Sequence, residues 1–209
     1  MLIEYKTIVE KYNLQIKNIL HVGAHKAEEE KDYFNSGCEK VIWVEANPDL
    51  VSYLKNTLDK TRNKVLEAVV SDSDDQEVEF IITNNGQSSS ILELGIHKDL
   101  FPGVYQSGSI TRKTKTIKTL FNENKLSFDA IDFINLDIQG AELLALKGIG
   151  ENFYNIKAIL AEINTDYVYK KCALIGEIDD YLSAFNFKRV ETVMWHNHPW
   201  GDALYIKKE

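Results

Sequence analysis

One segment, residues 132–142, constrains the fold more strongly than the rest of the chain. It reads Asp-Phe-Ile-Asn-Leu-Asp-Ile-Gln-Gly-Ala-Glu, an apolar strand that ends at Asp137 and turns through a Gln-Gly corner into a helix predicted over 141–147. In an open parallel sheet, the carboxyl ends of the strands line the ligand crevice. Burying an unpaired carboxylate costs several kcal/mol, so Asp137 is not explained as a core residue. The pattern predicts a parallel strand–helix unit with Asp137 at a functional site.

The same alternation of strands and helices recurs along the chain. Strands are predicted over 19–23, 41–45, 65–70, 131–136 and 156–163, and helices over 2–15, 28–34, 48–58 and 178–185. An antiparallel arm is predicted over 78–82, and a closing antiparallel pair over 189–194 and 203–206. Strands that alternate with helices form parallel βαβ units with right-handed crossovers. The predicted fold is therefore α/β: a doubly wound, mainly parallel sheet with an antiparallel C-terminal strand pair, in a single domain over 1–209.

Composition and charge exclude several classes of protein. The 209 residues are 44% apolar and 27% charged, which is typical of one soluble globular domain. The net charge of −8 argues against a nucleic-acid partner, because such proteins usually present a basic face. No apolar run reaches the ~18–20 residues of a membrane span, and no signal-type segment begins the chain. Cys38 and Cys172 form neither a disulfide framework nor a metal-binding pattern, so we expect a cytoplasmic protein.

Two predicted strand ends carry residues that suit a nucleoside. The first reads His21-Val22-Gly23-Ala24-His25, where a glycine lets the backbone approach a ligand closely. The second ends in Glu45 and is followed by Ala46, and a carboxylate at that point accepts hydrogen bonds from ribose hydroxyls. The alternative role of Glu45 is to face the N-terminus of the helix that begins at Pro48.

A third strand end carries Ser71 and Asp72, which would face an adenine ring or else form an acidic surface turn. Only Gly23 of a G-x-G-x-x-G pattern is present, so a cradle for pyrophosphate is not expected. A nucleoside site without such a cradle fits S-adenosylmethionine better than NAD or ATP. The predicted cofactor-binding residues are His21, Gly23, Ala24, His25, Glu45, Ala46, Ser71 and Asp72.

Several motifs resemble those of the FkbM-type methyltransferases. Residues 136–148, Leu-Asp-Ile-Gln-Gly-Ala-Glu-Leu-Leu-Ala-Leu-Lys-Gly, resemble the family's D-(V/I)-(E/Q)-G-A-E core and the apolar helix that ends in L-K-G. Residues 21–25 resemble its cofactor loop, 44–48 its acidic strand end, 85–93 a serine-rich loop and 200–205 a C-terminal ending. The resemblance covers 18–207 with the motifs in family order. One departure is Ala27, which replaces a second glycine common in the cofactor loop.

The resemblance implies a Rossmann-like class I methyltransferase that uses S-adenosylmethionine, typically an O-methyltransferase acting on sugars or other hydroxylated metabolites. Such an enzyme aligns an acceptor hydroxyl with the methyl group and removes its proton. Asp137 is the first candidate for the base. Glu142 either supports the Asp137 loop through backbone hydrogen bonds or takes part in catalysis. His97 is either a third catalytic candidate, a base delivered by a lid, or a surface residue.

A metal site is a further hypothesis at the same strand ends. Asp137, Glu162 and Asn164 offer two carboxylates and an amide oxygen, a ligand set that suits Mg²⁺. Some metal-dependent O-methyltransferases place ligands at these two strand ends. The alternative is a group of polar residues that hydrogen-bond without a metal.

The polar segment 84–116 is longer than most connections, which favours an acceptor-site loop or lid over an inert insertion. Its polar side chains suit a polyhydroxylated acceptor, and the predicted acceptor-binding residues are Asn85, Gln87, Ser88, Ser89 and Ser90. Tyr105 and Trp195 either stack on a sugar face or pack in the core.

The predicted function is methyl transfer to a hydroxyl of a sugar, a glycan or a related acceptor. One alternative is an N-methyltransferase acting on a small amine or a peptide, and another is a non-catalytic binding module that kept the fold. Expected partners are the small-molecule or glycan substrate and, if the chain belongs to a larger assembly, neighbouring glycosyltransferase domains or a second copy.

Overall fold

The structure, a computed structural model, describes residues 1–208, and it confirms the alternation of strands and helices. Within that range the strands are β1 (Asn18–Val22), β2 (Lys40–Glu45), β3 (Asn63–Glu67), β4 (Val69–Val70), β5 (Glu77–Thr83), β6 (Gln106–Lys115), β7 (Phe133–Leu136), β8 (Ala158–Asn164), β9 (Phe187–Met194) and β10 (Trp200–Lys207). The helices are α1 (Tyr5–Lys11), α2 (Glu30–Asn35), α3 (Pro48–Thr57), α4 (His97–Leu100), α5 (Ile117–Glu123), α6 (Glu142–Ile149) and α7 (Ile175–Ser183), with a 3₁₀ turn at Phe128–Ala130.

The main sheet has the strand order β3-β2-β1-β7-β8-β10-β9. The five strands from β3 to β8 run parallel, and β10 and β9 add an antiparallel pair at one edge. The strand order reverses between β1 and β7, and in sheets of this kind ligands bind at that point. The predicted α/β fold with an antiparallel C-terminal pair is confirmed.

Alternation along the central strands separates two cores. In β7, Ile134 and Leu136 face a core that contains α5, α6 and α7, whereas Phe133 faces a core that contains α1, α2 and α3. The helices contribute Phe121, Leu146 and Leu182 to the first core, and Ile8, Tyr33 and Leu54 to the second. Both faces of β7 are therefore covered, which is why its sequence reads as a continuous apolar run.

The predicted third strand, 65–70, is wrong in its continuity. β3 ends at Glu67, and the Ala68 backbone N–H donates to Glu45 O at 3.0 Å. Val69 and Val70 then pair with Thr114 and Lys115 of β6 in a separate sheet, ordered β4-β6-β5. An apolar run that changes sheets cannot be distinguished by its pattern from one uninterrupted strand.

The segment 84–116 is also more regular than the sequence indicated, because its second part forms the ten-residue strand β6. This strand pairs antiparallel with β5, as expected for the predicted arm, and Ile110 lies opposite Phe80. Residues 106–113 are exposed or half-buried and include one apolar side chain, Ile110, so the apolar alternation that marks a half-buried strand is weak. The loop proper is thus confined to 84–105 with α4 inside it, and α5 was not predicted.

The helices of the described residues include none that combines the length and apolar character of a membrane span.

Candidate active site

Two neighbouring cavities open where the parallel strands end. The first, here called the β2-side cavity, lies against the ends of β1 and β2 and the segment Ala68–Val70. The second, called the β8-side cavity, has a volume of about 470 Å³ and lies against the ends of β7, β8 and β10. Gly23, His25, Gln87 and Asp137 line both cavities. The switch point of the sheet therefore carries one continuous cleft with two compartments.

Gly23 joins the first strand to this cleft. Its φ of +92° is a conformation that side-chain-bearing residues rarely adopt, and its N–H donates to Val44 O at 2.9 Å. A Cβ at this position would lie 1.8 Å from the Asp137 carbonyl oxygen. Glycine is therefore required for the ends of β1 and β7 to approach each other. The sequence predicts that Gly23 lets the backbone approach a ligand, whereas in the structure its close neighbour is the backbone of Asp137.

Glu45 is buried at the end of β2 and faces the β2-side cavity. Its Oε1 accepts the N–H groups of Ala46 and Asn47 at 2.9 and 2.8 Å, and Oε2 accepts the His25 N–H at 2.9 Å. Burial raises the pKa of Glu45, and these backbone donors oppose the rise. A carboxylate has roughly four lone-pair sites, so one remains for a ligand hydroxyl. The predicted ribose role and the alternative, contact with the turn before α3, are compatible in this geometry.

The two histidines of the first strand end have different surroundings. His21 is buried beside the Trp43 ring, with Nδ1 3.0 Å from the Tyr33 hydroxyl, and burial lowers the pKa of His21 to about 4. Its neutral ring belongs to the floor of the cleft. His25 lies at the junction of the cavities, where its Nδ1 is 2.6 Å from Glu28 Oε1. Ala24 and Ala46, also predicted at this site, line the β8-side and the β2-side cavity respectively.

Ser71 and Asp72 are the predicted cofactor residues that the structure leaves outside the cavity lining. At the third strand end, the β2-side cavity is lined instead by Ala68, Val69 and Val70. Because β4 pairs with β6, the chain has already left the cleft at Ser71, whose N–H donates to Lys115 O. The Ser71 hydroxyl donates to Asp72 at 3.3 Å in a turn, which matches the alternative of an acidic surface turn.

Asp137 follows β7 and lies at the centre of a side-chain network. Gln139 Nε2 donates to Asp137 Oδ1 at 2.7 Å and to Glu162 Oε2 at 2.8 Å, and the Tyr169 hydroxyl donates to Gln139 Oε1 at 2.5 Å. Burial and the charge of Asp137 raise the pKa of Glu162 well above its ordinary value. The sequence pattern alone indicates no role for Gln139 or Tyr169. Gln139 has a φ of +58°, so the turn directs its amide between the two carboxyl groups.

Glu142 supports this loop and lines neither cavity. Its Oε1 accepts the N–H groups of Ile138 and Gly140 at 3.0 and 3.1 Å, and the side chain is 2% exposed. Burial raises the pKa of Glu142 from its ordinary 4.5 to about 7. The prediction that Glu142 takes part in catalysis is therefore corrected, because its carboxyl group is enclosed beneath the turn. The alternative, support through backbone hydrogen bonds, is what the structure has.

Replacing Glu142 with glutamine tests this role, because glutamine keeps the accepting oxygen and removes the ionisation. The raised folded-state pKa means that wild-type stability is undiminished below pH 4.5 and falls as the pH rises towards 7. We expect the free energy of unfolding of Glu142→Gln, relative to wild type, to increase by about 3 kcal/mol across that window. Urea unfolding at several pH values measures it. Exposed Glu151→Gln is the control, and a difference independent of pH would contradict the assignment.

Asp202 of β10 is a site residue that the sequence analysis missed. It pairs in register with Glu162 and accepts the backbone N–H groups of Leu2 and Ile3, the latter at 3.1 Å. Burial raises the pKa of Asp202 to about 6. The available signal was the alternation of β10, in which Asp202 occupies the same face as Leu204, an inward-facing position that normally holds an apolar residue.

The magnesium hypothesis finds no support in the arrangement of these groups. Asp137 and Glu162 do lie together, but the Gln139 amide donates to both of them from the position between them. Asn164 is fully buried and lines neither cavity. Among residues 1–208, no group of three or more His, Cys, Asp or Glu side chains could hold a metal ion. The other alternative, polar residues that hydrogen-bond without a metal, fits Asp137 and Glu162.

The predicted acceptor-binding residues divide between the two cavities. Asn85 and Ser88 line the β8-side cavity, Ser89 and Ser90 the β2-side cavity, and Gln87 both. Several of their polar atoms hold the loop itself, since the Asn85 amide donates to Ser88 Oγ at 3.0 Å and Ser89 Oγ donates to a backbone carbonyl. Ser90 Oγ donates to Gln139 O at 2.9 Å, which fastens the loop to the turn after β7.

His97, predicted as a lid-borne base or a surface residue, is neither exposed nor on a free loop. It begins α4, lines the β8-side cavity and is 5% exposed, with its ring against Phe101 and Tyr169. Its Nδ1 has no hydrogen-bond partner, and burial lowers the pKa of His97. Trp195 lines the same cavity, whereas Tyr105 is 60% exposed and lines neither.

Comparison with known proteins gives one family match. The family model described as the methyltransferase FkbM domain matches residues 21–189. No relative is found among curated protein sequences. Among solved structures, the methyltransferase FkbM of Methylobacillus flagellatus KT is 16% identical with a TM-score of 0.61, and the match covers 98% of this chain and 48% of that one. The chain thus spans about half the length of that relative.

Two further structures share the fold at lower similarity. TrmK of M. capricolum, in complex with S-adenosylhomocysteine, is 10% identical with a TM-score of 0.54, and the match covers 100% of this chain and 70% of that one. Magnesium protoporphyrin IX methyltransferase from Synechocystis PCC 6803, with bound SAM, is 11% identical with a TM-score of 0.51, covering 96% and 74%. Identities this low establish the fold alone. Because the family model spans most of the chain, and because the resemblance of its motifs agrees, the chain belongs to the FkbM methyltransferase family.

Proposed function

We propose that this protein is an S-adenosylmethionine-dependent O-methyltransferase that methylates a hydroxyl of a polyhydroxylated acceptor such as a sugar or glycan. The observation that carries the proposal is the position of Asp137, a carboxylate at the switch point that lines both compartments of the cleft. A group that removes the proton of the acceptor hydroxyl has to lie close to that hydroxyl, which in turn lies next to the methyl donor.

The β2-side cavity fits the nucleoside part of S-adenosylmethionine. Glu45 retains accepting capacity for ribose hydroxyls, and Leu50, Val70, Phe80 and Ile138 provide apolar walls for a flat base. The two fold relatives whose structures contain SAM or its product support this choice of ligand. When bound, S-adenosylmethionine supplies an electrophilic methyl group.

The residues around Asp137 suit proton removal from a hydroxyl. The Gln139 amide, itself held by Tyr169, fixes the carboxylate from one side through Oδ1. Burial and the neighbouring Asp137 carboxylate raise the pKa of Glu162 well above its ordinary value, which disfavours the ionised form that a base requires. Asp137 therefore is the group at this strand end that accepts the proton, and Glu142 holds the loop that presents it.

The β8-side cavity suits a sugar-like acceptor. Its volume of about 470 Å³ lies within the range of small-molecule sites. Trp195, Trp200 and Phe101 offer aromatic faces, and Asn85 and Gln87 offer amide groups. Flat apolar faces beside hydrogen-bonding groups match a molecule whose ring carries C–H groups on its faces and hydroxyls around its edge.

Isothermal titration of the purified protein with S-adenosylmethionine and S-adenosylhomocysteine tests the proposal. We expect micromolar binding of both, and a loss of at least about tenfold in Glu45→Gln, since a side-chain amide in place of Oε2 removes an accepting oxygen. Asp72→Asn is the matched variant, an acidic residue predicted at the site that the structure leaves outside, and it should bind as wild type does. A folded protein that binds neither ligand would leave the non-catalytic module as the better description.

A further inference from the structure

The carboxyl groups of Asp137 and Glu162 lie side by side at the ends of β7 and β8, where both line the β8-side cavity. Carboxyl groups that meet in a partly buried site need a shared proton, a cation or hydrogen-bond donors between them. The Met1 ammonium lies at the same cavity, and its ion pair there is with Glu29, 3.8 Å from Oε1. Burial lowers the pKa of this ammonium, the charges of Asp137 and Asp202 raise it, and the net shift is upward. The cavity thus contains a cation, but a different group bridges the pair.

The bridging group is the side-chain amide of Gln139. Its Nε2 donates to Asp137 Oδ1 at 2.7 Å and to Glu162 Oε2 at 2.8 Å, so both amide hydrogens are used. The reversed amide would place its oxygen against the Asp137 carboxylate, which is repulsive. The hydrogen bonds therefore fix which end of the amide faces the pair.

The rest of Gln139 is also held in place. The Tyr169 hydroxyl donates to Gln139 Oε1 at 2.5 Å, and Ser90 Oγ donates to the Gln139 backbone oxygen at 2.9 Å. The next residue, Gly140, has a φ of +98°, and a Cβ there would lie 3.1 Å from Tyr169 Cβ. Tyr169 itself is 1% exposed. The amide is therefore positioned by the packing of the turn after β7 against Tyr169, not by a freely moving side chain.

A divalent cation shared by the two carboxyl groups would need the position that this amide occupies. Mg²⁺ binds carboxylate oxygens at about 2.0–2.1 Å, and the same oxygens here accept N–H groups. The amide hydrogens carry partial positive charge and face the carboxyl oxygens as an ion would. An ion could bind between the two groups only after the amide had left.

We propose that the Gln139 amide takes the place of a bridging cation between Asp137 and Glu162, and that Gln139 is the positioning residue that presents the other oxygen of Asp137 to the acceptor hydroxyl. Tyr169 acts through Gln139 by holding the amide in this orientation. The first part follows from the hydrogen bonds, whereas the second rests on the proposed function, because it takes Asp137 as the base.

Binding of Mn²⁺ to a Gln139→Glu variant tests the first part. Glutamate is close to glutamine in shape, removes both N–H donors and adds a carboxylate, and carboxylate oxygens suit Mn²⁺. We expect Gln139→Glu to bind Mn²⁺ at least about tenfold more tightly than the wild type, by electron paramagnetic resonance of the free ion, and Mn²⁺ to raise Tm in that variant alone. Gln15→Glu, at an exposed glutamine that lines neither cavity, is the matched control and should behave as the wild type does. Equal Mn²⁺ affinity in the wild type and Gln139→Glu would overturn the bridging role.

Gln139→Met and Tyr169→Phe test the positioning role. Methionine keeps the length of the side chain without its donors, and phenylalanine removes only the hydroxyl that orients the amide. With an acceptor that the wild-type enzyme methylates, we expect kcat to fall by at least about tenfold in Gln139→Met and by about threefold in Tyr169→Phe. The KM for the acceptor and the affinity for S-adenosylhomocysteine should stay within about twofold of wild type in both.

A Gln139→Met enzyme with wild-type kcat, or one that changes only in KM, would refute the positioning role. Titration of every variant with S-adenosylhomocysteine reports whether the cleft is folded. A wild-type protein that binds no S-adenosylhomocysteine would refute the proposed function and with it the second part of the inference. The Mn²⁺ measurement involves neither cofactor nor acceptor, so it decides the first part in either case.

Discussion

Replacing Asp137 with asparagine is expected to lower the rate of methyl transfer by about 10²–10⁴-fold, the range associated with removal of a positioned general base. In the wild type, Gln139 Nε2 donates to Asp137 Oδ1 at 2.7 Å. The side-chain oxygen of asparagine can accept the same hydrogen bond, so the turn should keep its shape. The loss should therefore appear in kcat, with S-adenosylmethionine affinity within about twofold of wild type. Single-turnover kinetics with an acceptor that the wild-type enzyme methylates measures the rate of methyl transfer. Parallel titration with S-adenosylmethionine measures the affinity for the cofactor.

Glu162→Gln is the informative companion to that variant. Glutamine resembles the protonated carboxyl group that burial favours at Glu162, so activity should fall by less than about tenfold. An Asp137→Asn enzyme with nearly wild-type kcat would show that no strong base is needed. That result would favour the N-methyltransferase alternative, because an amine that reaches the site unprotonated attacks without one.

Replacing Gly23 with alanine is expected to be the most damaging single change to the folded state. The new Cβ would lie 1.8 Å from the Asp137 carbonyl oxygen, and the φ of +92° is strained for any L side chain. Both effects force β1 and β7 apart at the point where the cleft opens. We expect the free energy of unfolding to fall by about 3 kcal/mol or more, which corresponds to roughly 6–12 °C in Tm for a chain of this length.

Gly176→Ala is the matched control for that substitution. Gly176 lies in the first turn of α7, has no heavy atom within 4 Å of an added Cβ and has no positive φ. Alanine should therefore leave the free energy of unfolding unchanged or raise it by up to about 1 kcal/mol, the difference in helix propensity between glycine and alanine. If Gly23→Ala melted at the same temperature as Gly176→Ala, the contact between the two strand ends would not be needed for folding.

The local sequence pattern predicts some residues at the strand ends correctly and others wrongly. Gly23, Glu45 and Asp137 were identified because each follows an apolar run that ends at the same edge of a parallel sheet. Ser71 and Asp72 were chosen by the same rule and lie outside, because a run of apolar residues does not reveal that β4 joins another sheet. The rule predicts where a strand ends but not which sheet it belongs to.

The sequence by itself determines the features that depend on local pattern, namely the α/β class, the parallel strand–helix units and the position of Asp137. These follow from the periodicity of the side chains, the turn residues and the acidic residues at strand ends. The partners of Asp137 are not local. Gln139 reaches Glu162 across 23 positions of sequence, and Asp202 lies beside Glu162 only because β10 inserts antiparallel between β8 and β9. Strand order and register arise from packing of the two cores over the whole chain, so Asp137, Glu162 and Asp202 come together only once the sheet has assembled.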